Sequence, residues 1–174
     1  HGGADQSYTL LAGQANEIWR IEGDPATYLK NPFDSGPPDI TTVRVHYQRY
    51  GGDYAAWGLH LWNGSGLDAA RLPGVAIDNW NAPVPFSQMP GYAAGAGEIV
   101  FDIPVLNPKD DARRTALEFI IHGMPPNQND KDGRPDNIRV DFAALTIANQ
   151  VGQVWLVEQD PIARSPAPTP ARSG

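Results

Sequence analysis

The amino-acid sequence predicts an all-β domain, an antiparallel β-sandwich, from three observations. The 174 residues include 18 glycines and 17 prolines, which long helices tolerate poorly. Short segments with apolar residues at every second position recur along the chain, separated by turn-forming residues. No segment has a convincing helical period, since residues 112–117 allow a turn at most. Many short strands joined by glycine- and proline-rich turns are typical of β-sandwiches.

The predicted strands follow in order from the alternation of apolar and polar residues. In the first strand Val43, Val45 and Tyr47 share one face, and a Gly-Gly-Asp turn follows. The second ends at an Asn-Gly-Ser-Gly turn, the third before Pro104, and the fourth at a Gly-Met-Pro-Pro turn. The predicted strands cover residues 42–50, 57–62, 98–103, 117–122, 137–140 and 153–158.

The composition limits the classes of partner. With 13 basic and 20 acidic residues, the formal net charge is −7, which repels nucleic-acid phosphates and anionic membrane surfaces. A neutral partner such as a sugar meets no such repulsion. The absence of cysteine excludes disulfides and thiolate metal sites. No apolar run approaches the ~18 residues of a membrane-spanning helix. We therefore expect no nucleic-acid partner and no membrane insertion.

The ends of the chain differ in composition from its middle. Residues 164–174 are rich in proline, alanine and serine and predict a linker, the alternative being a disordered tail or a cloning remnant. A second run of turn formers predicts a linker at 29–40, and the main module then covers 41–163. Because the chain begins at His1 without a leader-like stretch, we expect it to be a fragment.

An internal echo suggests a tandem arrangement. Residues 17–25, Glu-Ile-Trp-Arg-Ile-Glu-Gly-Asp-Pro, resemble residues 153–161, Gln-Val-Trp-Leu-Val-Glu-Gln-Asp-Pro. Each is a short alternating strand that ends in Asp-Pro, so we interpret residues 1–28 as the C-terminal remnant of a preceding similar module. Chance similarity of two strand ends is the alternative. Trp19 and Trp155 are predicted to be core residues of their respective copies.

The second predicted strand carries the most informative side chains. Three apolar residues of 57–62 share the face predicted to be core, while His60 and Trp62 share the other face, about 7 Å apart. Rings at that spacing suit consecutive glucose units, because the C–H faces of sugars pack on aromatic surfaces. Gly58 is expected to keep the neighbourhood open. The alternative is that Trp62 is a buried sandwich tryptophan.

Other aromatic and histidine residues were weighed for binding or catalysis. Trp80 lies in a proline-rich turn and is interpreted as a cover for one end of the sandwich or as a rim of the binding surface. His46 and His122 lie among apolar residues and are interpreted as structural. The sequence has no Gly-x-Ser-x-Gly elbow, no phosphate-binding loop and no His-Glu-x-x-His motif. No pair of acidic residues is marked by its neighbouring residues as a catalytic pair, so a glycosidase is the less favoured hypothesis.

Five stretches of the chain match one known family in order. They are Val-Arg-Val-His-Tyr at 43–47, Gly-Asp-Tyr-Ala-Ala-Trp-Gly-Leu-His-Leu-Trp at 52–62, Trp80 with Pro-Val-Pro-Phe at 83–86, Phe-Ile-Ile-His at 119–122, and Val-Trp-Leu-Val-Glu at 154–158 with Asp160. Together they resemble carbohydrate-binding module family 41, the pullulanase-associated domain. Residues 17–25 are similar to the closing strand of the same family.

The resemblance implies an immunoglobulin-like β-sandwich that binds amylose, amylopectin, glycogen and pullulan, without catalysis and without a cofactor. It implies two aromatic platforms, here His60 and Trp62, and a lysine and an aspartate that bond to sugar hydroxyls, here Lys131 and Asp136. Many members of the family carry tryptophan at the first platform. Imidazole is a smaller platform, so we expect weaker stacking at His60, although its edge can form hydrogen bonds.

The chemistry of Lys131 and Asp136 agrees with that implied role. Lysine supplies three donors and a carboxylate accepts several hydrogen bonds, so the pair can grip a vicinal diol. A solvated charged loop is the alternative. Asp130, Asp132 and Asp136 also echo part of a calcium-binding loop, but the distal glutamate and the flanking helices are missing. We predict no metal site, with calcium near Asp130 and Asp132 as the alternative.

These expectations describe a binding module rather than an enzyme. It would target an attached catalytic domain of pullulanase or amylase type to α-glucan polysaccharides and maltooligosaccharides, in a secreted or cell-surface protein. The alternative is a structural spacer domain of a multidomain secreted enzyme.

Overall fold

A computed structural model describes residues 36–132, 137–160 and 163–165. The chain divides into two compact units, His1–Gly36 and Pro37–Gly174, and the described residues belong to the second apart from Gly36. The predicted module remnant at 1–28, residues 29–35 of the first predicted linker, residues 166–174 of the second, and Asp136 lie outside the described residues.

The described residues form strands and short 3-10 turns. The strands are β1 (Thr42–Gln48), β2 (Trp57–His60), β3 (Val84–Pro85), β4 (Ala93–Ala94), β5 (Ile99–Pro104), β6 (Ala116–Gly123), β7 (Ile138–Asp141), β8 (Ile147–Ala148) and β9 (Val151–Val157). The 3-10 turns are Tyr54–Ala56, Ala69–Arg71, Phe86–Gln88 and Phe142–Ala144. In this part of the chain no helix is long and apolar enough to cross a membrane.

Two sheets confirm the predicted all-β sandwich. One has five strands in the order β4-β5-β1-β9-β8, and the other has four in the order β3-β2-β6-β7. One pair in the otherwise antiparallel sheets runs parallel, β1 with β9, from Thr42↔Val151 to Gln48↔Val157. A parallel pair cannot be closed by a tight hairpin. Here the rest of the module, including the whole four-stranded sheet, separates the two strands in sequence.

The core confirms the alternation seen in the sequence. Val43, Val45 and Tyr47 are fully buried on β1, as are Leu59 on β2 and Phe119 on β6. Packing of these inward faces removes apolar surface from water and holds the two sheets together. The outward face of the four-stranded sheet is thereby left to carry polar and aromatic residues.

Both ends of the packed module extend slightly into the stretches predicted as linkers. Ile40 is fully buried, and the Asp39 carboxylate accepts hydrogen bonds from Asn107, Lys109 and Gln150 at 2.8–3.0 Å. At the other end, Arg164 forms an isolated antiparallel bridge with β9. Burial and backbone pairing at these residues show that they pack with the sandwich.

A buried guanidinium, that of Arg49, links the loop after β6 to the end of β1. Arg49 is 5% exposed and donates to the Tyr47 hydroxyl at 2.9 Å, Asp132 at 3.3 Å and Glu158 at 2.8 Å. Its guanidinium carbon also lies 4.0 Å from the ring centroid of Trp57. Asp132 is 2% exposed, so the ion pair with Arg49 compensates a carboxylate that has lost its water. This cluster anchors residue 132 and therefore the segment just before it.

Candidate functional site

Four rings meet on the outer face of the four-stranded sheet, and we call this group the aromatic cluster: His60, Trp62, Trp80 and His122. The centroid of His60 lies 5.5 Å from Trp62, 5.2 Å from Trp80 and 6.1 Å from His122. Trp80 and His122 are stacked with centroids 4.3 Å apart and ring planes 11° apart. Trp62 and Trp80 are half-buried, so each indole retains a surface that a ligand can reach.

Strand register explains why the two histidines are neighbours. In the antiparallel β2–β6 pair, Gly58 lies opposite His122 and His60 lies opposite Ile120. Side chains alternate between the faces of a strand, so His60 and His122 emerge on the same outer face. Alternation within 117–122 already separates His122 from the buried Phe119, but only the pairing reveals that it joins His60.

Gly58 has a role other than the expected one. A Cβ at this position would lie 2.8 Å from the Val84 carbonyl oxygen, 3.0 Å from the Met124 sulfur and 3.1 Å from the Pro83 Cβ. The prediction that glycine keeps this neighbourhood open is therefore wrong. The space is filled by β3 and the Pro83 and Met124 side chains, and glycine allows their close approach.

Trp62 lies just beyond the end of β2, which is shorter than predicted. The backbone carbonyl of Leu61 accepts a hydrogen bond from the Asp78 N–H at 2.8 Å, so the chain leaves the sheet there. The Trp62 carbonyl accepts a hydrogen bond from the Ser65 hydroxyl at 2.7 Å. The separation of about 7 Å expected for His60 and Trp62 is too long. The rings lie at 26° to one another with centroids 5.5 Å apart.

The turn that carries Trp80 is fastened to the segment that carries Trp62. The Asp78 carboxylate accepts hydrogen bonds from the backbone N–H of Asn63 at 3.1 Å and from its side-chain amide at 2.6 Å. Asp78 itself has a positive φ of 59°, which aspartate tolerates better than most residues. These bonds hold Trp80 against the sheet beside His60. Trp80 thus covers His122 within the aromatic cluster, while its role as the rim of a binding surface stays a prediction.

Lys131 reaches the edge of the aromatic cluster. Residues 130–132 extend the edge of β6, where the Gly123 N–H donates to the Asp130 carbonyl at 2.8 Å and Lys131 forms an isolated bridge with His122. The exposed Lys131 ammonium lies 5.7 Å from the Trp80 ring centroid, within the range of cation–π attraction. The next side chain, Asp132, turns inward to Arg49. Asp136, predicted as the partner of Lys131, lies outside the described residues.

The two histidines of the cluster favour the neutral form. Burial lowers the pKa of His60, and a hydrogen bond with the Asn79 backbone and the charge of Asp78 oppose this only in part. Burial likewise lowers the pKa of His122, hydrogen bonds with the Gly123 and Gln128 backbone oppose this in part, and the charges of His60 and Lys131 lower the pKa further. Neutral imidazoles at neutral pH leave the four rings of the aromatic cluster uncharged, with the ammonium of Lys131 at their edge.

Trp155 lies in a different place from the one predicted. It is half-buried on the outer face of the five-stranded sheet, where its ring stacks on His46 with centroids 4.5 Å apart. The core positions of β9 are its neighbours Val154 and Leu156, each 1% exposed. A strand residue between two inward-facing neighbours must face outward, so the assignment of Trp155 to the core is wrong.

The acidic loop contains no described group of metal ligands. Within residues 36–132, 137–160 and 163–165, no three His, Cys, Asp or Glu side chains come together in a way that could hold an ion. The Asp132 carboxylate, considered as a calcium ligand from the sequence, forms its ion pair with Arg49 at 3.3 Å.

Comparison with known proteins places this chain in a family. Residues 41–164 match the model of a family described as the bacterial pullanase-associated domain. The chain belongs to this family. The resemblance drawn from the sequence is confirmed, and the matched residues contain the whole described aromatic cluster together with Lys131.

A curated relative agrees with this assignment. An alpha-amylase of Streptomyces lividans is 27% identical over 114 residues, which are 66% of this chain and 10% of the amylase. The chain thus spans about a tenth of the length of this relative. The pullanase-associated domain is accordingly an accessory domain associated with amylolytic enzymes.

The outer face of this pullanase-associated domain combines flat apolar rings with a polar edge. Indole surfaces can pack on the C–H face of a neutral ring, and the Lys131 ammonium can donate to several oxygen acceptors at once. Carboxylates on this side of the sheet already have partners, since Asp78 is bonded to Asn63, and Glu118 and Asp141 are bonded to Arg139 at 2.9 and 2.8 Å.

Proposed function

We propose that this pullanase-associated domain is a non-catalytic carbohydrate-binding module that holds α-glucans on its aromatic cluster. The observation that carries the proposal is the juxtaposition of two half-buried indoles, Trp62 and Trp80, with the neutral imidazole of His60 and the ammonium of Lys131. The ligands would include amylose, amylopectin, glycogen, pullulan and maltooligosaccharides.

The chemistry of the cluster matches a sugar better than a charged ligand. A glucose unit presents an apolar C–H face that packs on an indole and hydroxyls that need hydrogen-bond partners at its rim. Trp62 supplies the face and Lys131 supplies donors at the edge. The formal net charge of −7 and the neutral histidines give no general attraction for anions.

Affinity should be modest, because a shallow aromatic surface removes only part of the water from each sugar. We expect dissociation constants in the micromolar to millimolar range, about −4 to −8 kcal/mol. Such a module would raise the local concentration of polymer around a covalently attached catalytic domain of pullulanase or amylase type. We further propose that the whole protein is secreted or displayed at the cell surface, where it would meet α-glucan polymers outside the cell.

The proposal is tested by replacing Trp62 with alanine. Stacking of one sugar covers about 100 Å² of apolar surface, somewhat less than an aromatic side chain buries in a protein core, and is worth about 2.5 kcal/mol. Trp62→Ala should therefore weaken binding roughly 50- to 100-fold, enough to abolish retention on an amylopectin affinity gel. The matched control is Tyr50→Ala, which removes an aromatic ring that is 80% exposed and lies outside the cluster.

The outcomes separate the proposed function from its alternative. Circular dichroism melts should show that Trp62→Ala remains folded, since its indole is only half-buried. If Trp62→Ala is retained as strongly as the unmodified protein, the aromatic cluster is not the site. If the unmodified protein ignores all α-glucans, the domain is a structural spacer. Turnover of maltooligosaccharides by the purified chain would overturn the non-catalytic assignment.

A further inference from the structure

A second concave surface adjoins Trp62 on the outer face of the four-stranded sheet. It is a groove of about 340 Å³ whose walls include Trp62, Arg114, Thr115, Glu118 and Arg139. The residues that line this groove do not include His60, Trp80 or Lys131. Trp62 is therefore the residue that the groove shares with the aromatic cluster, and a ligand lying on Trp62 can continue from one into the other.

The floor of the groove is built before any ligand arrives. The Glu118 N–H donates to the Ser65 carbonyl at 2.8 Å, and the Leu106 N–H donates to the Gly66 carbonyl at 3.0 Å. Gly66 has a φ of 90°, and a Cβ there would lie 2.2 Å from the Ala116 carbonyl oxygen. Only glycine allows this close approach of the turn to β6. A preformed surface binds with a smaller ordering cost than a flexible one.

The charges around the groove balance, which indicates a neutral ligand. Arg139 bonds to Glu118 at 2.9 Å and to Asp141 at 2.8 Å, and Arg113 pairs with Asp111 at 3.0 Å. A phosphate or carboxylate would have to compete with these carboxylates for Arg113 and Arg139. A sugar hydroxyl both donates and accepts, so it can bond to either member of an ion pair without breaking it.

Arg114 offers donors that the protein leaves available. Its Nε lies 3.8 Å from the Asp111 carboxylate, beyond hydrogen-bonding distance, and no side-chain hydrogen bond of Arg114 is found within the described residues. The side chain is 32% exposed at the wall of the groove. Its planar guanidinium can therefore donate to ligand oxygens without breaking a hydrogen bond, while the ion pair with Asp111 stays in place.

We propose that this surface, the Arg114 groove, binds one further glucosyl unit of an α-glucan whose preceding units lie on the aromatic cluster. A groove of about 340 Å³ is large enough for one anhydroglucose unit together with some of the water around it. This inference rests on the proposed function. It adds that the module measures chain length, since only a sufficiently long oligosaccharide reaches from the cluster across Trp62 into the groove.

The test is calorimetric titration with the linear series from maltotriose to maltoheptaose. We expect the association constant to rise about tenfold or more at the length that first reaches the groove, as an additional hydrogen bond to the charged guanidinium forms, and then to level off. Arg114→Ala should remove this step while leaving the affinity for shorter chains unchanged. Glu118→Gln, which keeps the size of the side chain, provides a second variant if Arg114→Ala does not fold.

Arg44→Ala is the matched control, because this half-exposed arginine is paired with Asp102 at 2.8 Å on the five-stranded sheet. It should keep the step in affinity. If maltotetraose binds and the association constant does not change up to maltoheptaose, the Arg114 groove binds no glucosyl unit, and the proposed function is left intact. A step that persists in both groove variants would also overturn binding in the Arg114 groove. If the unmodified protein binds no α-glucan, both the proposed function and this inference are wrong.

Discussion

Replacement of Arg49 by methionine tests whether burial makes the ion pairs of this arginine more stabilising than ion pairs at the surface. The Arg49 side chain is 3% exposed and its guanidinium bonds to Asp53, Asp132 and Glu158 at 2.8, 3.3 and 2.8 Å. Methionine retains an apolar stem of similar length and removes every donor. The 2% exposed carboxylate of Asp132 would then lose the Arg49 guanidinium as a cationic partner in the interior.

The expected cost is large because the charge is buried. Removal of one partner of a buried pair costs about 3–5 kcal/mol, whereas an exposed pair contributes about 1 kcal/mol or less. For a module of this size that loss corresponds to a fall in melting temperature of roughly 10–20 °C. Arg139→Met is the matched control, since Arg139 also bonds to two carboxylates but is 49% exposed.

The assay is urea and thermal denaturation of the whole chain, followed by tryptophan fluorescence and circular dichroism. The double variant Arg49→Met with Asp132→Asn should recover about 1 kcal/mol or more, because the amide carries no buried charge. Lys131 immediately precedes Asp132, so Arg49→Met should also weaken α-glucan binding at temperatures where the sandwich remains folded. If Arg49→Met costs no more than Arg139→Met, the reasoning from burial is wrong.

Three further predictions concern the turn, the histidines and the lysine. Gly66→Ala should lose about 1–3 kcal/mol of stability in urea titrations from backbone strain alone, and a melting curve identical to that of the unmodified protein would contradict the close approach to β6. The lowered pKa values of His60 and His122 mean that the unfolded chain binds protons more readily than the folded one. The contribution of these histidines to the free energy of unfolding should therefore be fully present above about pH 6.5 and decrease as the pH falls below that value, which melting curves at a series of pH values would show. Lys131→Met should weaken maltooligosaccharide binding roughly 10-fold or more without changing stability, while Lys109→Met should leave binding unaltered, and equal effects of the two in calorimetry would refute the role of the ammonium.

Local patterns in the sequence determined which residues face the core. Alternation assigned Val43, Val45 and Tyr47 to one side of β1, and all three are fully buried. The same alternation directed His60 outward on β2. Such assignments succeed because the two faces of a strand follow from the backbone of that strand alone. The family could also be recognised from the sequence, since its matching stretches follow one another along the chain.

The sequence pattern failed wherever a result depended on a partner distant in the chain. Gly58 was expected to open a space that Pro83 and Met124 in fact fill. Trp155 was assigned to the core, although its neighbours Val154 and Leu156 occupy the inward positions. The parallel pairing of β1 with β9 has no local signal, because strands joined by no hairpin leave no turn residues between them to indicate their direction.

The amino-acid sequence by itself determined an all-β domain with an outward-facing ring at His60, because side-chain alternation is a property of each strand. Only the tertiary structure decided that Trp62, just beyond the end of β2, and Trp80 and His122 join this ring. It also decided that Arg49 holds Asp132 from 83 positions away. Contacts between residues distant in the sequence depend on strand register and on the path of the connecting turns. Both are determined by many hydrogen bonds across the two sheets at once.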